Sequence, residues 1–468
     1  MKRKASTEFV LKRAGWKRIF AVYPALLAAC LCFLGGGLGV SAAPRSRAEN
    51  TVYSDNQGIN SWWVYPLSVR YKGKSDKTYT SYVDSDGSCG LISYDNTNGN
   101  QRKVKIAREK ADDHNAGAVE VLRDGRLIYI TSGHNSRSYL KLYVSKKPES
   151  IRDWEEPVML KTPAKCTYIQ LVKNDKGYFL FTRLRYSWKQ LSNGQSRRFT
   201  WAVSYSRDGL RWSDFRNVID GGTVQYYVKA MPCTDSDDIR LVMSSYPRNS
   251  NTDLRVAFYN PNRKTVTDQQ NKNLYRPKSK GWGLSFKKAD VAVKKEKGSR
   301  NRLLDVGFTE RKRTVIAYAS GSDASDADYR VTEVKGKKKQ TATLTNSGSA
   351  FYRPSWYFGG MAFSSKKANV LYLSRKVGRY WQIEQWKKKK TGWKCAKVVM
   401  KSRNRVLIRP FTTKNGPGYV SFSYGVYNNR KFNDFDTWIF RKRLPESAEG
   451  ETWVFYPVVP GTAAVQPS

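Results

Sequence analysis

The sequence predicts an all-β protein folded as a seven-bladed β-propeller, and three observations predict it. From about Asn60 onward, short runs rich in Val, Ile, Tyr, Phe, Trp and Thr alternate with turns rich in Gly, Asn, Asp and Lys. No long amphipathic helical pattern interrupts them. The runs also group into seven units of roughly 45 to 65 residues, the period of propeller blades, which stack radially because one blade alone cannot bury both of its faces.

Taken along the chain, the first unit carries apolar runs at 78–83 and 90–94. The second reads as 118–122, the Asp124-Gly125 turn, 127–131 and 139–144, with one strand on each side of a tight hairpin. The rhythm returns at 168–172, 177–182 and 200–205, and again at 224–230, 239–244 and 253–259. Later units begin near Leu303, Trp356 and Val406. The expected organisation is therefore a signal peptide or signal-anchor over 1–43, a short linker over 44–59, the propeller over 60–455 and a tail over 456–468. A tandem of β-sandwiches is the alternative architecture, but no Pro- or Ser-rich linker offers a place to divide the chain.

The composition supports a folded chain: 40% of the 468 residues are hydrophobic and 13% aromatic, enough to build a core despite 26% charged residues. The charge is strongly one-sided, with 84 Lys and Arg against 39 Asp and Glu, a net of +45. The N-terminal basic stretch (Lys2, Arg3, Lys4, Lys12, Arg13, Lys17, Arg18) holds only a small part of it, so the excess belongs to the body. Such a field attracts polyanions over long range. The bland reading is a solubilising surface, and Lys337 to Lys339 and Lys387 to Lys390 have the look of solvated hairpin tips.

The basic N-terminus is followed by an uncharged stretch over 19–43 that ends in small residues, the pattern of a secretory signal cleaved near Ala43 or Pro44. Its length also permits an uncleaved anchor, and Leu27-Ala28-Ala29-Cys30 resembles a lipobox. Secretion or display at a bacterial cell surface follows, with membrane contact only through that N-terminal anchor. Beyond the leader, Cys89, Cys166, Cys233 and Cys395 are too far apart for a CxxC metal site, and in an oxidising compartment they allow up to two disulfides. No metal site and no cofactor are expected from two histidines and dispersed carboxylates.

Those two histidines, His114 and His134, sit in unusual surroundings. His114 lies in Asp112-Asp113-His114-Asn115, just before the first strand of the second unit, and His134 in Gly133-His134-Asn135, just after the second strand. Antiparallel pairing around Asp124-Gly125 brings both to the open end of one hairpin. Tyr168 and Arg183 repeat that placement in the third unit, and Tyr227, followed by Lys229, opens the fourth. Each histidine can equally be a turn-capping structural residue, and each tyrosine a packing residue.

These stretches, with Asp124-Gly125-Arg126, 77–87, Ser93-Tyr94-Asp95, 145–154, Arg353-Pro354, Arg409-Pro410 and 424–437, resemble the BNR-repeat family that includes the ulvan lyases. Ser206-Arg207-Asp208-Gly209-Leu210-Arg211-Trp212 looks like a variant Asp-box, a structural turn of such propellers, with its spacing off by one residue. The resemblance implies a seven-bladed propeller that cleaves a uronic-acid polysaccharide by β-elimination, with His114, His134, Tyr168 and Arg183 as catalytic groups and Tyr227, Lys229 and Asn115 as substrate contacts. The chemistry asks for these types: a cation for the carboxylate (Arg183, aided by His134), a base for the C5 proton (His114) and an acid for the leaving O4 (Tyr168), with the roles of His114 and Tyr168 open to exchange or Tyr168 serving both steps. The expected partner is an acidic polysaccharide, met by a monomer.

The main competitor is a non-catalytic propeller that binds anionic cell-wall or host glycans. A sialidase-like hydrolase lacks an Arg-Ile-Pro motif and an assignable arginine triad, and no fold signature of a nucleic-acid binder is present.

Overall fold

The computed structural model describes residues 50–52, 58–61, 63–191, 194–246, 253–348, 350, 359–364, 368–416, 419–428 and 433–443. They belong to one unit spanning 46–468, and the expected leader over 1–43 lies outside them, as do Trp356, Arg353-Pro354 and the expected tail. Among the described residues the secondary structure is strand with three 3-10 turns, and no helix is long and apolar enough to cross a membrane.

The strands form seven sheets among the described residues, labelled I to VII along the chain. Sheet I holds Ser68–Lys72, Asp76–Asp84, Ser88–Asp95 and Gln101–Arg108, with Gly58–Ile59 also on Asp76–Asp84. Sheet II is Ala118–Val121, Leu127–Thr131, Tyr139–Val144 and Val158–Lys161. Sheet III runs Lys165–Asn174, Gly177–Ser187, Arg197–Ser206 and Arg216–Gly222. Sheet IV begins Tyr226–Pro232, Ile239–Ser245 and Leu254–Asn260. Sheet V is Arg300–Val306, Arg313–Gly321, Asp328–Lys335 and Lys338–Asn346, and sheet VI is Met361–Phe363, Val370–Val377, Tyr380–Lys389 and Gly392–Ser402. Sheet VII is Val406–Thr412, Tyr419–Tyr427 and Phe435–Arg443, completed by Asn50–Val52.

The successive main strands of each sheet pair antiparallel, and in sheets I, II, V and VI the outermost strand is the least buried. Ala118–Val121 and Tyr226–Pro232 are buried at every position, whereas the outer strands Gln101–Arg108 and Lys338–Asn346 are mostly exposed or half-buried. This gradient is why first strands read as continuous apolar runs and fourth strands as Lys-rich alternations. It is the arrangement of a propeller, and the all-β propeller expectation is met at that level.

Within the stretch expected as a short linker over 44–59, two short segments are strand. Asn50–Val52 pairs antiparallel with Phe435–Arg443, placing both ends of the body in sheet VII, and Gly58–Ile59 pairs with Asp76–Asp84. Main-chain hydrogen bonds to an otherwise open sheet edge recruit these short segments, and a run of two or three residues carries no periodicity to reveal it. The chain then crosses the centre. Asn60 bonds the Arg409 backbone in sheet VII, and Val64–Tyr65 lies parallel to the first strand of sheet III.

The variant Asp-box performs its structural role. Asp208 Oδ1 accepts from the backbone N–H groups of Leu210 and Arg211, and Trp212 Nε1 donates to the Gly209 carbonyl. Cys89, Cys166, Cys233 and Cys395 are free thiols.

Candidate active site

The turn before sheet II sets the first histidine. Asp112 Oδ1 accepts the His114 backbone N–H at 2.9 Å, and the Asn115 N–H closes onto the Asp112 carbonyl at 3.1 Å. This aims the His114 ring inward, with Nδ1 2.5 Å from Asp112 Oδ1 and 2.7 Å from Asp113 Oδ1. The second histidine leaves the far end of Leu127–Thr131 through two left-handed residues, Gly133 (φ 69°) and Asn135 (φ 54°), which fold the loop back. His134 Nδ1 reaches Asp112 Oδ2 at 2.8 Å, and the two imidazoles stack at 4.1 Å between centroids, 15° apart. One carboxylate thus orients both rings.

Tyr168 follows in the first strand of sheet III at φ 63°, inside a register break between Thr167 and Gln170. A left-handed tyrosine costs about 1–3 kcal/mol, and such strain concentrates at functional sites. The bulge turns the ring toward the histidines, 5.9 Å from His114 and 6.5 Å from His134. Arg183, opposite Thr167 on the next strand, lays its guanidinium 4.7 Å from the Tyr168 ring centre and 5.8 Å from that of Tyr227. Tyr227 in turn stacks on Trp63 at 4.4 Å.

The electrostatics distinguish the groups. Burial alone would lower the His114 pKa, but the carboxylates of Asp113 and Asp112 reverse this and hold it up to about 10, so the ring is an imidazolium at neutral pH. His134 is lowered by burial and by the neighbouring His114 charge, so it is neutral. Its Nδ1–H faces Asp112, which puts the basic lone pair on Nε2. A ring whose proton is held by the adjacent acid pair is poorly placed to serve as the base expected of it. Burial drives the Tyr168 phenol well above its ordinary value, and Tyr227 is also raised. Asp113 is held down to about 2 despite its burial, chiefly by Arg409 and His114.

Arg183 is 1% exposed, its closest polar contact is Gln225 Oε1 at 3.4 Å, and its Nε has no partner. Among the described residues no carboxylate lies at ion-pair distance from it. His134, with 28% of its side chain exposed, is the open member of the cluster.

Two residues expected as substrate contacts have partners within the protein. Asn115 is buried and spends its amide on the Lys110 carbonyl at 2.7 Å, bracing the turn. Lys229, two residues beyond Tyr227, lies 3.5 Å from Asp305 and lines a cavity of about 700 Å³ at the other end of the centre. That cavity is bounded by the late parts of the first strands, including Lys173, Met231, Val306, Phe363 and Phe411, and by Asn60, Val64 and Tyr65. Neither histidine, nor Tyr168 or Arg183, lines it.

The sequence reading gave no role to Asp112, Asp113, Trp63, Arg409 or Tyr427. Asp113 Oδ2 accepts from Arg409 Nη2 at 2.5 Å and from the Tyr427 hydroxyl at 2.6 Å, and Arg409 Nη1 donates to the Asn60 carbonyl at 3.0 Å. Arg409 also adopts a left-handed backbone (φ 55°) at a register break, as Tyr168 does. Only the Asp-Asp-His adjacency was a usable signal. Asp112, His114 and His134 also form a group whose ligand atoms lie close enough to hold a cation, but the Asp112 oxygens already face both Nδ1 atoms in hydrogen bonds.

Residues 77–389 match the family described as BNR repeat-containing family member. The chain belongs to that BNR repeat-containing family. Among solved structures, this family member is similar to an ulvan lyase described as a new polysaccharide lyase family, PL25, at a TM-score of 0.65 and 14% identity, over 83% of this chain and 95% of that one. The same figures hold for that lyase bound to -[GlcA(1-4)Rha3S]-. At this identity the likeness is one of fold. No curated protein sequence matches.

Proposed function

We propose that this protein is a secreted, monomeric polysaccharide lyase with seven blades, one per sheet, that cleaves a uronic-acid-containing acidic polysaccharide by β-elimination. The observation that carries it is Arg183: a buried guanidinium with no counter-ion among the described residues, stacked on a protonated tyrosine and close to a neutral histidine. Burying an uncompensated cation is costly unless an anionic ligand completes it.

In this reading Arg183 binds the uronate carboxylate and stabilises the charge that develops as the C5 proton leaves. His134 Nε2 takes that proton, the C4–C5 double bond forms as the C4–O4 bond breaks, and Tyr168 gives its proton to the departing oxygen. His114 is a positioning residue: its fixed charge lowers the His134 pKa and shares Asp112, which orients both rings. The likeness in fold to a lyase that holds a uronate fragment supports the substrate class.

The near-complete burial of Tyr168 and Arg183, and the position of the large cavity away from them, favour a second reading as a non-catalytic glycan-binding propeller. Absorbance of the unsaturated uronate product, followed across ulvan, heparin, chondroitin, alginate and bacterial acidic polymers, separates the two. Product on at least one polymer supports the lyase, and binding without product on any supports the second reading.

A further inference from the structure

In sheets V and VI the hairpin between the third and fourth strands ends in lysines. The first pairs Lys335 directly with Lys338 across a Gly336-Lys337 turn, and the second pairs Lys387 with Lys394 near a Lys390-Thr391 turn. Like charges facing each other across a strand pair are destabilising, so these tips are not arranged for stability. The two hairpins touch: Lys388 Nζ, from sheet VI, donates to Glu333 Oε2 in sheet V at 2.7 Å, and the outer strands of the two sheets pack together. Glu333 is already shared, since Arg313 donates to both of its oxygens at 2.8 and 3.1 Å. Neither 334–346 nor 385–402 contains any carboxylate. Lys335, Lys337, Lys338, Lys389, Lys390 and Lys394 are all exposed.

In a meander the third strand runs the same way as the first, so these tips lie at the end of the sheets opposite the histidine cluster. The neighbouring strand Lys338–Asn346 adds exposed or half-buried Gln340, Thr341, Thr343 and Thr345, amide and hydroxyl groups suited to sugar hydroxyls and acidic substituents. None of the exposed large hydrophobic residues among the described residues lies on either tip, so nothing there inserts into a lipid bilayer.

We infer that the paired lysine tips of sheets V and VI form a second polyanion-binding surface, remote from the histidine cluster, that holds a strand of acidic polysaccharide. The identity of the polymer rests on the function proposed above; the surface itself does not. Multiple cation contacts of this kind release counterions, so binding is steeply salt-dependent.

The test is the full-length protein carrying Lys337→Ser, Lys338→Ser, Lys389→Ser and Lys390→Ser, beside a control with the same charge loss at exposed positions on other sheets: Lys146→Ser, Lys147→Ser, Lys278→Ser and Lys280→Ser. Dissociation constants for long-chain polygalacturonate and heparin, measured calorimetrically over a salt series, should rise at least about tenfold in the tip variant, with a salt dependence shallower by about three units of log–log slope. The control should stay within about twofold at fixed salt. Unchanged affinity and slope in the tip variant, or equal weakening in the control, would overturn the inference. So would wild-type binding confined to phosphatidylglycerol vesicles, with none to either polysaccharide. Tip-dependent binding by a protein that yields no unsaturated product would uphold this surface while the lyase reading fails.

Discussion

The two ends of the central region differ in how they treat buried charge. Around the histidines both carboxylates are engaged (Asp112 by two imidazoles, Asp113 by His114, Arg409 and Tyr427), yet among the described residues Arg183 has none at ion-pair distance. At the opposite end the roomy cavity is lined by cations already satisfied: Lys229 with Asp305, Lys414 with Glu120 at 2.5 Å, and Lys173 with the Val121 carbonyl at 2.7 Å. The cavity meets the Asp113 network through Arg409, which lines it, but neither histidine, nor Tyr168 or Arg183, does. An unfinished electrostatic arrangement is the better pointer to a reacting anion, because a structure that merely packs would complete it.

The sharpest way to break this comparison is to substitute each end in turn. His134→Ala and Tyr168→Phe should each lower kcat by about a hundredfold to ten-thousandfold while leaving glycan affinity largely intact, as expected for proton-transfer groups. Arg183→Ala should harm both kcat and KM, because the carboxylate is present in the ground state as well. Lys229→Met, at the other end, should leave turnover within about twofold and cost about 1–2 kcal/mol, the penalty of leaving Asp305 without its partner. Equal losses of turnover at both ends, in steady-state assays, would erase the distinction.

Next in size is stability. Asp113→Ala leaves Arg409 buried without its anion and should cost about 3–5 kcal/mol in urea unfolding. His114→Ala should also destabilise, since it strips the imidazolium from two buried carboxylates, whereas His134→Ala should unfold close to wild type. That contrast separates the positioning histidine from the reacting one.

A further contrast lies in pH dependence. His134 must be neutral to act, and its pKa is lowered, so kcat/KM should rise along a limb whose midpoint lies below the ordinary 6.5 and then level off. His114 is raised to about 10 in the folded protein, so its contribution to stability is fully present below about 6.5 and is lost as pH rises through about 10. Asp113 works in the other direction, its contribution being lost as pH falls from the ordinary carboxylate range through about 2. Urea midpoints across pH read both limbs, and a stability flat from pH 6 to 10 would remove the charged His114.

Much of the candidate site was legible before any coordinates. Placing His114 and His134 at the open end of one hairpin needed only the Asp124-Gly125 turn and antiparallel pairing, and the rings do stack. The same reasoning brought Arg183 beside Tyr168. It could not give the partners of Lys229 and Asn115, because sequence position says which strand a residue occupies but not how far along the channel it lies or which carbonyl it meets. Trp63 and Arg409 reach the site from more than a hundred residues away in sequence, by a chain crossing and a backbone bulge that leave no periodic mark.

The sequence by itself determined the β-class, the meander rhythm, the basic surface and the two hairpins that carry His114, His134, Tyr168 and Arg183, since turn chemistry and strand periodicity are local properties. Only the tertiary structure decided which histidine favours the doubly protonated, charged form. That depends on Asp112 and Asp113 converging on one ring, with Arg409 holding Asp113 as an anion from a distant sheet, and a pKa is set by charges within a few ångströms of the group, wherever in the chain they originate.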